Sequence, residues 1–174
     1  MNYHNITTDD MLNGSGLRVC LWCSGCDHHC ENCQNPQTWD KNSGINFDID
    51  AENELFTLLE NDYISGITFT GGDPLHENNL NTVYELCLRI KKEYKHKNIW
   101  IYTGYTWEQI FKDISSHESA MRKQIINLCD VIVDGRFEEH KKDMNYPWAG
   151  STNQRVIDVQ KSLEANSIVL WENE

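Results

Sequence analysis

The cysteines at Cys20, Cys23, Cys26, Cys30 and Cys33 read C-x2-C-x2-C-x3-C-x2-C, so five of the chain's seven cysteines fall in one short stretch. Thiols crowded in this way point to a metal or metal–sulfur centre, and an odd total excludes a fully paired secreted disulfide framework. Several triplets are available, among them Cys20, Cys23 and Cys26, and the later Cys26, Cys30 and Cys33. Cys20 and Cys23 lie in the apolar run VCLWC, where a free cysteine is ordinarily a small buried hydrophobe. The C-x3-C-x2-C set lies in the polar loop GCDHHCENCQNP, whose backbone can curl around a polynuclear centre, and it is the favoured set. Three thiolates are one short of the four that close a structural zinc site or an electron-transfer cluster. An iron left open can bind a substrate. His28 and His29 offer zinc as a minor alternative, but their spacing is not that of a zinc finger, and loop histidines are ordinarily solvated.

The elements that must position this loop follow from hydrophobic period. After a polar lead-in ending in NGSG at 13–16, Leu17 to Trp22 reads as a strand running into the cysteine loop. The segment from Asp50 reads as a short amphipathic helix with an Asp at its start as cap, followed by the buried-type strand Gly66 to Thr70. Leu80 to Tyr94 reads as a helix with Leu80, Val83, Tyr84, Leu86, Cys87 and Ile90 on one face, and Asn98 to Tyr102 as the next strand. A helical region from Trp107 to about Leu128, broken near Ser115 and Ser116, precedes a strand at Val131 to Val133. Beyond Pro147 come a strand at Arg155 to Val159, a helical turn at Gln160 to Ala165 and a last strand at Ile168 to Trp171.

Alternating strands and helices argue for α/β architecture, with mainly parallel strands joined by crossover helices. A complete eight-fold barrel wants about 250 residues, so 174 residues build only part of one, as a single domain over 1–174. In such sheets functional groups gather at the carboxyl ends of strands. The cysteine loop, GGDP at 71–74, TGY at 103–105 and DGR at 134–136 each follow a strand.

Composition narrows the partners. With 27 acidic against 15 basic residues the net charge is −12, a balance that repels phosphate backbones and anionic lipid. Nucleic acid and membrane are therefore excluded as expected partners, and with no signal-type opening the expected location is cytoplasmic. Arg18, Arg136 and Arg155 are read as surface pairs, the six tryptophans as core or interface anchors, and Cys87 and Cys129 as inert.

CDHHCENC at 26–33 resembles the signature of the radical S-adenosylmethionine (radical SAM) superfamily, and GGDP is similar to that superfamily's Gly-Gly-Glu-Pro-type strand end. The resemblance tightens to the activating enzymes of anaerobic (class III) ribonucleoside-triphosphate reductases through MNYHNI at the start, NGSGLR at 13–18, CQNPQTWD at 33–40, YTGYTWEQ at 102–109, VDGRFE at 133–138 and GSTNQRVID at 150–158. One departure is Asn32, which stands where many superfamily members carry an aromatic residue against adenine.

The resemblance implies a partial βα barrel of the radical SAM type. It implies a 4Fe-4S cluster on Cys26, Cys30 and Cys33, and SAM held with the help of Asn32, Gln34, Gly71, Gly72, Asp73 and Thr103. Gly72 would allow close backbone approach, and Asp73 would meet the methionyl ammonium. The implied reaction is reductive cleavage of SAM, with an electron from an external donor such as a flavodoxin, and formation of a glycyl radical on the reductase. Family analogy alone raises a homodimer or a complex with a reductase dimer. The rival readings are an activase of another glycyl-radical enzyme, a radical SAM enzyme acting on a small molecule or peptide, and a non-enzymatic iron–sulfur or zinc module.

Overall fold

A computed structural model describes residues 1–112 and 115–172. Its strands are β1 (Asn2–Asp10), β2 (Leu17–Cys23), β3 (Ile45–Asn46), β4 (Ile64–Gly71), β5 (Asn98–Tyr102), β6 (Val131–Asp134) and β7 (Arg155–Asp158). They form one sheet in the order β3-β1-β2-β4-β5-β6-β7. The central strands β2, β4, β5 and β6 are mutually parallel, whereas β1 and β3 on one side and β7 on the other are antiparallel. The sheet is therefore mixed, parallel in its middle, and "mainly parallel" holds only for that middle.

The helices are α1 (Ile49–Leu59), α2 (Leu80–Glu93), α3 (Trp107–Lys112), α4 (His117–Leu128) and α5 (Val159–Ala165). Successive side chains of a strand point to opposite faces, and both faces here are covered. Val19 and Leu21 of β2, Ile67 and Phe69 of β4, and Ile99 and Ile101 of β5 join one core with Leu55 and Leu59 of α1, Val83 and Ile90 of α2, and Ile125 of α4. The alternate residues Arg18, Cys20, Trp22, Thr68, Thr70, Trp100 and Tyr102 belong to the other face. There Trp100, Val131, Val133 and Val156 form a smaller apolar cluster under Trp148 and Trp171. No described helix is long and apolar enough to cross a membrane.

Several local expectations change. The polar lead-in holds a nine-residue strand, β1, whose only buried side chains are Tyr3 and Ile6; so few apolar positions gave little alternation to read. The cap of α1 is Asp48, whose carboxylate accepts from the N–H groups of Asp50 and Ala51, so Asp50 is already inside the helix. The break near Ser116 is a capping box, with Ser116 and Ser119 exchanging side-chain-to-backbone hydrogen bonds. The segment Ile168 to Trp171 forms only an isolated bridge from Leu170 to Ile157 rather than a strand.

Arg18 is fully buried instead of surface-paired. Its guanidinium donates to Thr68 Oγ1, Asn98 Oδ1 and the carbonyls of Ser15, Ile67 and Asn98, and it lies 5.3 Å from the Trp100 ring centroid. Burial pulls its pKa down to about 10, still charged at neutral pH. The cation thus ties β2, β4 and β5 together.

Candidate functional site

All four strand-end motifs meet at one end of the parallel strands. A cavity of about 610 Å³ there is lined by Cys26, Cys30, Cys33 and Gln34 of the cysteine loop, Gly71, Gly72 and Asp73 after β4, Thr103 and Gly104 after β5, and Gly135 and Arg136 after β6. Trp22, Thr70, Tyr102 and Trp148 continue its wall along the second face of the sheet. The volume lies within the range of small-molecule and cofactor sites. Asn32 is the one expected site residue outside this lining; it is exposed and holds a left-handed φ of 53°.

Backbone hydrogen bonds fix the cysteine loop to the end of β4. The Gly72 N–H donates to the Cys23 carbonyl at 2.8 Å and the Asp73 N–H to the Gly25 carbonyl at 2.7 Å. Gly25 and Cys26 in turn donate to the carbonyls of Thr38 and Trp39, closing the loop at its base. Asn79, fully buried at the start of α2, donates to the carbonyls of both Ser24 and Asp73.

The thiols divide as their sequence surroundings suggested. Cys20 and Cys23 are fully buried in β2, and burial pushes each thiol up to about 12. Cys26, Cys30 and Cys33 are free and half-buried at the cavity. Burial, then the charge of Asp73, raises the Cys26 thiol to about 12. Burial also raises Cys30, opposed by the Phe137 backbone and the Arg136 charge. Arg136 and Phe137 of the segment after β6 line the same cavity as the cysteine loop. Among the described residues no three His, Cys, Asp or Glu side chains converge as a single-ion site requires. Three accessible thiols on one open cavity instead fit a polynuclear iron–sulfur centre, which needs thiolates spaced wider than one ion does and which releases their protons on binding.

His28 is not solvated. Its side chain is 7% exposed, and Nε2 lies 2.6 Å from Asp73 Oδ2. Its ring meets Tyr105 edge-on at 4.7 Å and rests against the backbone of Gly104, where an added Cβ would come within 2.3 Å of the imidazole. Asp73, 2% exposed, also accepts from the Leu75 N–H, the Thr103 hydroxyl and the Gly104 N–H. Sequence reasoning missed His76 and Asn79, and it offered His28 only as a solvated residue or a minor zinc candidate. Gly104 was read as part of the TGY strand end, but its contact with His28 was not, because the partners lie on different strand ends.

Arg155 is held between Glu108 and Asp134, and Arg136 is exposed at the cavity. Trp100 and Trp107 are packing residues, whereas Trp22, Trp39 and Trp148 line the cavity.

A family model described as a 4Fe-4S single cluster domain matches residues 12–157, a span that contains every cavity-lining motif named above. The chain is 39% identical over 158 residues to the anaerobic ribonucleoside-triphosphate reductase-activating protein of Escherichia coli (strain K12), covering 90% of this chain and 97% of that one. It is 38% identical over 158 residues to the protein of the same name from Pasteurella multocida, covering 90% and 96%. The counterpart of Enterobacteria phage T4 is 37% identical over 156 residues, covering 90% and 93%. With the three cysteines inside the matched cluster domain and near full-length similarity on both sides, this chain belongs to the family of anaerobic ribonucleoside-triphosphate reductase-activating proteins.

Proposed function

We propose that this chain acts as one radical SAM domain over 1–174, its open sheet forming part of a βα barrel, and that it activates an anaerobic ribonucleoside-triphosphate reductase. The observation that carries the reading is the convergence of Cys26, Cys30 and Cys33 with the Gly71–Gly72–Asp73 strand end on one cavity. Cys26, Cys30 and Cys33 hold a 4Fe-4S cluster. When bound, the cluster would supply the single electron for reductive cleavage of SAM, the chemistry that leads to removal of a hydrogen atom from a glycine of the reductase.

The residues of this chain bind, orient and shield. The strand end at 71–73 flanks the cysteine loop and holds the methionyl end of SAM, while Gln34 and Thr103 line the same space. Trp22, Tyr102 and Trp148 supply apolar wall for the rest of the ligand. A small one-electron donor such as a flavodoxin supplies the electron, and free thiols suit a reducing cytoplasm. A homodimer remains part of the reading by family analogy.

Anaerobic reconstitution followed by iron and sulfide analysis tests the ligand set. Cys26→Ala, Cys30→Ala and Cys33→Ala each lose the cluster and the formation of 5′-deoxyadenosine, while Cys20→Ala and Cys23→Ala keep their iron. Iron retained in Cys33→Ala but lost in Cys20→Ala overturns the assignment.

A further inference from the structure

Two histidine–aspartate contacts run in opposite directions between the cysteine loop and the segment after β4. From the loop, His28 reaches Asp73. From the segment, His76, 5% exposed, reaches Asp27 of the loop, Nε2 to Oδ2 at 3.3 Å. His76 Nδ1 accepts from the Asn78 N–H, so its Nε2 carries the proton and faces Asp27 as an ion-pair contact. A carboxylate only accepts, so His28 donates from Nε2 to Asp73. Each imidazole is seated on a glycine: an added Cβ at Gly104, after β5, would meet the His28 ring at 2.3 Å, and one at Gly25 of the cysteine loop would meet His76 at 3.0 Å.

The Asp73 carboxylate has about four lone-pair sites, and four donors of this chain face it: the Leu75 and Gly104 N–H groups, the Thr103 hydroxyl and His28. At 2% exposure it has little surface left for a ligand. The expectation that Asp73 meets the methionyl ammonium directly runs against this arrangement.

We propose that His28 is a positioning residue that clamps the cysteine loop onto the end of β4, and that Asp73 serves the SAM site through this clamp rather than by touching the methionyl ammonium. The inference rests on the function proposed above and deepens it. The methionyl end then faces the backbone of 71–73, and the loop that carries Cys26, Cys30 and Cys33 is held in register by a buried charge-assisted hydrogen bond. His76 and Asp27 form the weaker, more exposed arm, since Asp27 is 78% exposed.

A double-mutant cycle with His28→Ala and Asp73→Asn tests it, read out in two ways. In the apo protein, amide hydrogen exchange across 26–33 speeds up about tenfold in either variant, the scale expected for losing one charge-assisted bond. In the reconstituted protein, SAM affinity, followed by the change it causes in the reduced cluster's electron paramagnetic resonance spectrum, falls by a similar factor. The double variant is no worse than the weaker-binding single one, because both remove the same contact. His28→Gln, which keeps a donor near the Nε2 position, restores most of both. Losses of SAM affinity that multiply in the double variant, or an Asp73→Asn variant that loses SAM with loop exchange unchanged, overturn the proposal. A wild-type protein that holds no cluster or binds no SAM overturns the functional reading instead, and the apo exchange data still decide the clamp.

Discussion

Gly72 lacks a side chain because the protein's own backbone fills the space. An added Cβ would lie 2.6 Å from the Gly25 carbonyl oxygen and 3.0 Å from that of Thr38, neither of which can rotate away. The family resemblance assigns this glycine to close approach of a ligand, and the structure supplies a second reason that acts before any ligand arrives. Gly72→Ala is therefore expected to lower the stability of the apo protein by about 1–3 kcal/mol, seen as a fall in melting temperature of roughly 2–4 °C for each kcal/mol. An apo protein of unchanged stability that merely fails to bind SAM would leave the ligand as the only reason. At this scale the cysteines were the most legible feature, because C-x3-C-x2-C is a local pattern and the apolar setting of Cys20 and Cys23 is also local. His28 was not legible: its partner Asp73 is 45 residues away, and only the parallel pairing of β2 with β4 brings them together.

Among the elements, β7 is tied to its neighbours by ionic contacts at Arg155. It runs antiparallel to β6 at the sheet edge, and Arg155 at its start binds Glu108 of α3 through both carboxylate oxygens and Asp134 of β6 as well. The hydrogen bonds from Arg155 hold Glu108 down at about 2, against an ordinary value of 4.5. A carboxylate depressed in the folded state adds stability above its unfolded pKa, and that stability is lost as pH falls through the folded value. Glu108→Gln is expected to be less stable than wild type at neutral pH, with the gap closing between about pH 4.5 and pH 2 in chemical denaturation. Because the Glu108 side chain is 42% exposed, the gap is small, of the order of 1 kcal/mol or less. A gap that stays constant across that window would mean the pair adds no pH-linked stability. Sequence period located α2 and β5 well, since each buries a clear apolar face, and the serines at 115 and 116 marked the start of α4. It missed β1, whose two buried residues, Tyr3 and Ile6, lie three apart across a register shift and so show no period of two, and it read a strand at 168–171 where one bridge suffices.

For the whole molecule, the sheet is open. Among the described residues β3 pairs on one side only and β7 is bordered on its outer side by the single Leu170–Ile157 bridge, and the cavity lies at one end of the parallel strands, where the cysteine loop meets the turns after β4, β5 and β6. Alternation of strand and helix made the parallel centre legible, whereas the antiparallel flanks were not, because direction at a sheet edge is decided by long-range pairing. An open cavity admits a glycine carried on a loop of another protein, and that is the central claim. Its most direct measurement is electron paramagnetic resonance on a mixture of the reduced, reconstituted protein, SAM and an anaerobic ribonucleoside-triphosphate reductase. A glycyl-radical doublet on the reductase, absent when Cys33→Ala replaces wild type and followed by nucleotide reduction, is the expected result. Cleavage of SAM with no radical on the reductase, while a small molecule is turned over instead, would contradict it.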